Sequence, residues 1–272
     1  MTLRFKPGVY VALITPFQQN EDIDYDALKK LIEFQNENGT TGIVLLGTTG
    51  ESPTLSTDEK KDLVKFVSQT KGDLDLIVGV GGNNTREVIE FTKYCNSYAD
   101  GLMVTVPSYN KPMQEGIYQH FVKISESTEL PIMMYNIPSR CGVNMNFLTT
   151  VKLYKNCENI VAIKEASGDL GQIQDIMKNC DIDIFAGDDS QLVPVMSLGG
   201  KGVVSVYANI EPEPVLKTFK YCLNNEYHNG RDEYFKYHNE IIKLFVETNP
   251  IPTKKILASK GLIEKVFRLP LM

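Results

Sequence analysis

Apolar and polar positions follow one long rhythm along this chain. Short apolar, β-branched runs are each followed by a polar turn and then by a stretch whose apolar residues recur at helical spacing. The runs are VYVALIT (9–15), GIVLLG (42–47), LDLIVGV (74–80), GLMVTV (101–106), LPIMMYN (130–136), NIVAIK (159–164), DIDIFAG (181–187) and KGVVSV (201–206), eight in all. The stretches between them carry helix punctuation. Ser56-Thr57-Asp58-Glu59 is a capping box ahead of Leu63, Val64, Phe66 and Val67. Gly39 and Gly72 fall where a left-handed residue closes a helix. Leu28, Leu31 and Ile32 form one apolar helix face, and Ile117, Phe121 and Ile124 another.

Near-continuous apolar strands alternating with helices predict a parallel sheet covered on its faces. Eight repeats is the number that closes a (β/α)8 TIM barrel, an α/β fold. The competing doubly wound sheet calls for a glycine-rich loop after the first strand, and ITPFQQNED has no glycine. After the eighth run, helical patterns near 213–224, 230–246 and 251–258 predict the eighth barrel helix and a short C-terminal helical extension. The expected division is a barrel over 1–225 and the extension over 226–272.

Composition narrows the function. The 272 residues carry a net charge of −6, which argues against nucleic acid and anionic membrane as partners. No apolar stretch approaches the roughly 18 residues of a membrane span. The start, MTLRFKPGVYVALITPF, lacks a secretory cleavage pattern, so a cytoplasmic location is expected. Cys95, Cys141, Cys157, Cys180 and Cys222 contain no CxxC and read as reduced packing residues. His120, His228 and His238 form no HExxH pair, and His120 is expected at a surface or half-buried helical position. No metal site is predicted.

In such barrels the chemistry sits at the C-terminal ends of the strands. The polar residues there are Thr48 and Thr49 after strand two, Tyr109 after strand four, Tyr135 and Arg140 at strand five, Lys164 at strand six, and Gly187 with Asp188 and Asp189 at strand seven. Lys164 alternates onto the face of Ile160 and Ala162. An enclosed amine loses its proton readily and attacks carbonyls. A lysine that pairs with Glu165, or snorkels from a strand end, is the other reading, and position alone leaves both open. Tyr135 fits a proton relay or a core phenol. The two threonines fit a carboxylate cradle or plain turn chemistry. Arg140 fits a carboxylate clamp or a surface residue. Asp188 and Asp189 fit a metal site or, better, a helix start. Together the set holds an amine, a phenol, hydroxyls and a guanidinium, which suits imine chemistry on a small carboxylated carbonyl compound.

GTTGES (47–52), PSYNKP (107–112), MYNIPSR (134–140), AIKEASGD (162–169), AGDD (186–189) and GVVSVYANI (202–210) together resemble the dihydrodipicolinate synthase (4-hydroxy-tetrahydrodipicolinate synthase) family, class I aldolases of the N-acetylneuraminate lyase superfamily. The resemblance covers nearly the whole chain. It implies condensation of pyruvate with aspartate-4-semialdehyde in diaminopimelate and lysine biosynthesis, without metal or organic cofactor. It implies a Schiff base at Lys164 and acid/base work by Tyr135. Thr48 would link Tyr135 to Tyr109, the latter supplied by a neighbouring subunit. Thr49 would hold the pyruvate carboxylate, Arg140 the semialdehyde, and backbone groups at Gly187 and Val204 would complete the site. A homo-oligomer built as a dimer of dimers is also implied.

Three departures from the family pattern stand out. Cys141 takes the place of a usual threonine. In the cleft where some relatives bind lysine, Asn83 and Glu87 fit the pattern, but Thr57, Lys60 and Ser108 do not, so strong lysine feedback is not expected. The family's final helix after Arg268-Leu269-Pro270 is expected to be missing. The alternatives are a sialic acid or 2-keto-3-deoxy sugar acid lyase of the same superfamily, and a non-catalytic binding barrel. Arg140 and GTTGE argue against the lyase, and the intact Lys164, Tyr135 and Thr48 set argues against the binding barrel.

Overall fold

A computed structural model describes residues 4–272. Its strands are β1 (Gly8–Ala12), β2 (Gly42–Leu45), β3 (Asp75–Gly79), β4 (Gly101–Thr105), β5 (Ile132–Asn136), β6 (Ile160–Glu165), β7 (Asp183–Ala186) and β8 (Gly202–Ser205). They run in sequence order around one closed barrel. The helices are α1 (Tyr25–Asn38), α2 (Thr57–Thr70), α3 (Thr85–Cys95), α4 (Gln114–Ser125), α5 (Pro138–Cys141), α6 (Phe147–Asn156), α7 (Leu170–Asn179), α8 (Leu192–Ser197), α9 (Pro212–Leu223), α10 (Tyr227–Lys243) and α11 (Ile251–Ser259).

All eight expected strands form, with shifted ends. The run 9–15 overshoots β1: Leu13 and Ile14 stay buried, but the Ile14 N–H donates to the side chain of Asn209 at 3.1 Å. Apolarity reports burial, and burial outlasts the strand. At β6 the error is opposite, because Glu165 is a strand residue and is buried. The Ser56 capping box forms as expected, and Gly39 closes α1 at φ 74°. Leu28, Leu31, Ile32, Ile117, Phe121 and Ile124 are buried, so the predicted helix faces point inward.

His120 corrects an expectation. It is only 6% exposed, with Nδ1 2.9 Å from the Thr85 hydroxyl. Burial pulls its pKa down to about 4, so it is neutral at physiological pH.

Contacts sort the chain into two compact units. The first contains the residues up to Pro7 and Ile77–Val203. Within it the register runs Thr105 to Tyr135, Tyr135 to Lys164 and Lys164 to Phe185, which aligns the C-terminal ends of β4 to β7. The second contains Gly8–Leu76 and Val204–Met272. Here Ala12 pairs with Val44, and α10 packs along α9, with Tyr237 donating to Thr218 at 2.9 Å and stacked on Tyr207.

Candidate active site

In the first unit, β5 and β6 place Tyr135 directly opposite Lys164. Both are buried, at 3% and 5% exposure, so the amine has left water. Its Nζ lies 4.1 Å from the Tyr135 ring centroid. Burial disfavours the ammonium and pulls the Lys164 pKa down to about 8; Asp189 and Asp188 oppose this shift, and Arg140 adds to it. Among the described residues no ion pair joins Lys164 to Glu165, which accepts instead from Asn136, Ser167 and Gln172, so the paired-lysine reading falls away. The product is an amine neutral in a sizeable fraction near pH 8, against a phenol, which is what attack on a carbonyl needs.

Arg140 follows from local chain chemistry. Pro138 opens the single turn α5 and Gly142 closes it at φ 71°, which leaves the Arg140 side chain exposed. The Cys141 thiol donates to the Val106 carbonyl at 3.1 Å, tying this turn to the end of β4. Asp188 accepts from the Ser190 N–H and starts the turn before α8, the helix-start role expected of it. Gly187 is required by packing: a Cβ there would lie 2.5 Å from that of Ala166 and 2.8 Å from the Glu165 carbonyl. Tyr109 is 91% exposed and sits at φ 64°, an uncommon conformation for a non-glycine residue. Asn83 accepts from the Ser108 N–H at 2.9 Å, whereas Glu87 accepts from Asn84.

In the second unit, Leu46 and Glu51 take left-handed conformations, at φ 58° and 53°, and bend the chain sharply around Thr48 and Thr49. The Glu51 N–H closes this turn on the Thr48 carbonyl at 3.1 Å. Thr48 is half-buried and Thr49 buried. Val204 is buried in β8. What holds the turn was not foreseen. Asn249 donates to the Thr49 hydroxyl at 3.0 Å, and Lys254 of α11 pairs with Glu51 at 2.5 Å, both side chains fully buried. The Lys254 ammonium also lies 4.2 Å over the Phe17 ring. Burial pulls the Lys254 pKa down against the opposing pull of Glu51. Nothing in GTTGES marked Glu51 as a buried charge, since its sequence neighbours are threonine, glycine, serine and proline.

The chain is similar to known proteins over most of its length. A sequence model described as the Dihydrodipicolinate synthetase family covers residues 6–272. The 4-hydroxy-tetrahydrodipicolinate synthase of Parabacteroides distasonis is 43% identical over 269 residues, 97% of this chain and 91% of that protein. The crystal structure of dihydrodipicolinate synthase from Aquifex aeolicus superposes with a TM-score of 0.96 at 42% identity, covering 98% of this chain and 92% of that one. The chloride-inhibited dihydrodipicolinate synthase of Acinetobacter baumannii, solved in complex with pyruvate, superposes at 0.95 with 38% identity over 98% of this chain and 92% of that one. Similarity of this depth spans nearly the whole chain, and the chain belongs to the dihydrodipicolinate synthetase family.

Proposed function

We propose that this protein condenses pyruvate with aspartate-4-semialdehyde to give 4-hydroxy-tetrahydrodipicolinate, a step of diaminopimelate and lysine biosynthesis. The observation that carries the reading is the buried Lys164 amine over Tyr135, its pKa pulled down to about 8. Lys164 Nζ attacks the pyruvate ketone carbon, and the carbinolamine loses water to give the imine. Loss of a methyl proton makes the enamine, whose carbon attacks the aldehyde. The semialdehyde's own amine then adds to the imine carbon, closes the ring and releases Lys164.

Tyr135 moves the protons of these steps, relayed through Thr48 to Tyr109 of a neighbouring subunit. Thr49 and its amide hold the pyruvate carboxylate, Arg140 holds the semialdehyde at the entrance, and backbone groups of Gly187 and Val204 line the site. The supporting evidence is the family membership together with the pyruvate complex of the Acinetobacter relative. The assembly we infer is a homo-oligomer built as a dimer of dimers, and the location cytoplasmic. Thr57, Lys60 and Ser108 beside Asn83 and Glu87 speak for weak lysine feedback.

Borohydride reduction in the presence of pyruvate, followed by peptide mapping, tests the mechanism. The adduct is expected on Lys164; its absence, or its appearance on another lysine, sinks the reading. Arg140→Ala is expected to trap pyruvate like the wild type yet fail to condense it with the semialdehyde.

A further inference from the structure

The chemistry above leaves Glu165 unused, although it follows Lys164 directly and is only 2% exposed. A buried carboxylate ordinarily takes a cation. Glu165 instead accepts from neutral donors: the Asn136 amide at 3.2 and 3.1 Å, the Gln172 amide at 3.0 Å and the Ser167 N–H at 2.7 Å. The donors are themselves fixed. The Asn136 side-chain Oδ1 accepts from the Met145 N–H at 3.0 Å, which forces its NH2 group toward Glu165. That NH2 also donates to Asn144 at 2.7 Å, and Asn144 donates to Gln172 at 2.8 Å. Four side chains from β5, the segment before α6, β6 and α7 thus close a ring.

The ring sits one residue beyond the chemistry. Asn136 and Glu165 are register partners across β5 and β6, next to the pair Tyr135 and Lys164. Strand alternation sends the two pairs to opposite faces. The backbone ladder between these strands ends here, with the Ala166 N–H on the Asn136 carbonyl at 2.9 Å. We propose that Glu165, through its ring with Asn136, Asn144 and Gln172, is a positioning residue that locks the ends of β5 and β6 so that the Lys164 amine keeps its attack geometry beside Tyr135. This rests on the imine reading given above. Direct charge is not the route, since the groups that act on the amine are Asp189, Asp188 and Arg140.

Donor and acceptor counting supplies the test. Glu165→Gln keeps the shape but sets an NH2 against the Asn136 NH2, which Met145 prevents from turning. In the double variant Asn136→Asp with Glu165→Gln, the Asn144 and Gln172 amides can turn over, and every donor again faces an acceptor. The readouts are the rate of borohydride-trapped imine at Lys164, kcat, and the KM for pyruvate. Glu165→Gln is expected to slow trapping and kcat at least about tenfold with KM little changed, because small misplacement of a reacting group is costly. The double variant is expected to recover most of the loss. A Glu165→Gln protein that traps at the wild-type rate, or a double variant no better than the single one, overturns the positioning role. If Glu165→Gln does not fold, Gln172→Met removes one arm of the ring from α7, and an unchanged trapping rate there overturns the role equally. Wild-type protein that fails to trap at Lys164 sinks the imine reading first and this role with it, so the two failures are distinguishable.

Discussion

Lys164 is poised by desolvation, and that has a sign that can be measured. Its pKa in the fold is about 8, against an ordinary 10.5, so the reactive neutral amine grows as pH rises. kcat/KM for pyruvate is therefore expected to climb about tenfold per pH unit below about 8 and to level off above it. Asp188 and Asp189 work against the shift. Asp188→Asn, which keeps the cap on Ser190, is expected to move this limb to lower pH; a limb that stays put or moves up would show that Asp188 does not act on the amine. The same shift has a stability side. Because the pKa is depressed in the fold, burying this lysine costs stability fully below about pH 8, and the cost is released as pH rises toward 10.5.

The turn after β2 illustrates how an element is held from far along the chain. Two non-glycine residues at positive φ give it a shape it would not keep alone. The Glu51–Lys254 pair and the Asn249 hydrogen bond reach it from the start of α11 and just before it. Removing one partner of a buried pair strands the other charge, at about 3–5 kcal/mol. Lys254→Met is expected to cost that much in denaturant unfolding, and Lys254→Met with Glu51→Gln distinctly less. Equal losses in the single and double variants would mean the pair's charges do not matter there. The capping box of α2 next door was readable because its two residues are three apart; the support of the turn was not, because its residues lie about 200 positions away.

For the whole molecule, the eight strands close one parallel barrel in sequence order, and the trans role proposed for Tyr109, exposed at φ 64°, has its own test. Mixing Lys164→Ala with Tyr109→Phe protein under conditions of subunit exchange is expected to restore activity above either parent; no gain would place Tyr109 in its own subunit's chemistry or outside it. The sequence by itself determined the number and order of strands, the fold class, and the residues at the strand ends. Those follow from local periodicity, because a strand buried on both faces must be apolar along its length. It also marked Lys164 as unusual. Only the tertiary structure decided that the amine is enclosed, that Glu165 is buried within a hydrogen-bonded ring rather than paired with Lys164, that His120 is neutral inside the protein, and that Lys254 and Asn249 brace the Thr48–Thr49 turn. Desolvation and hydrogen-bond partnership depend on which distant residues fold against a side chain, and no spacing along the chain encodes that.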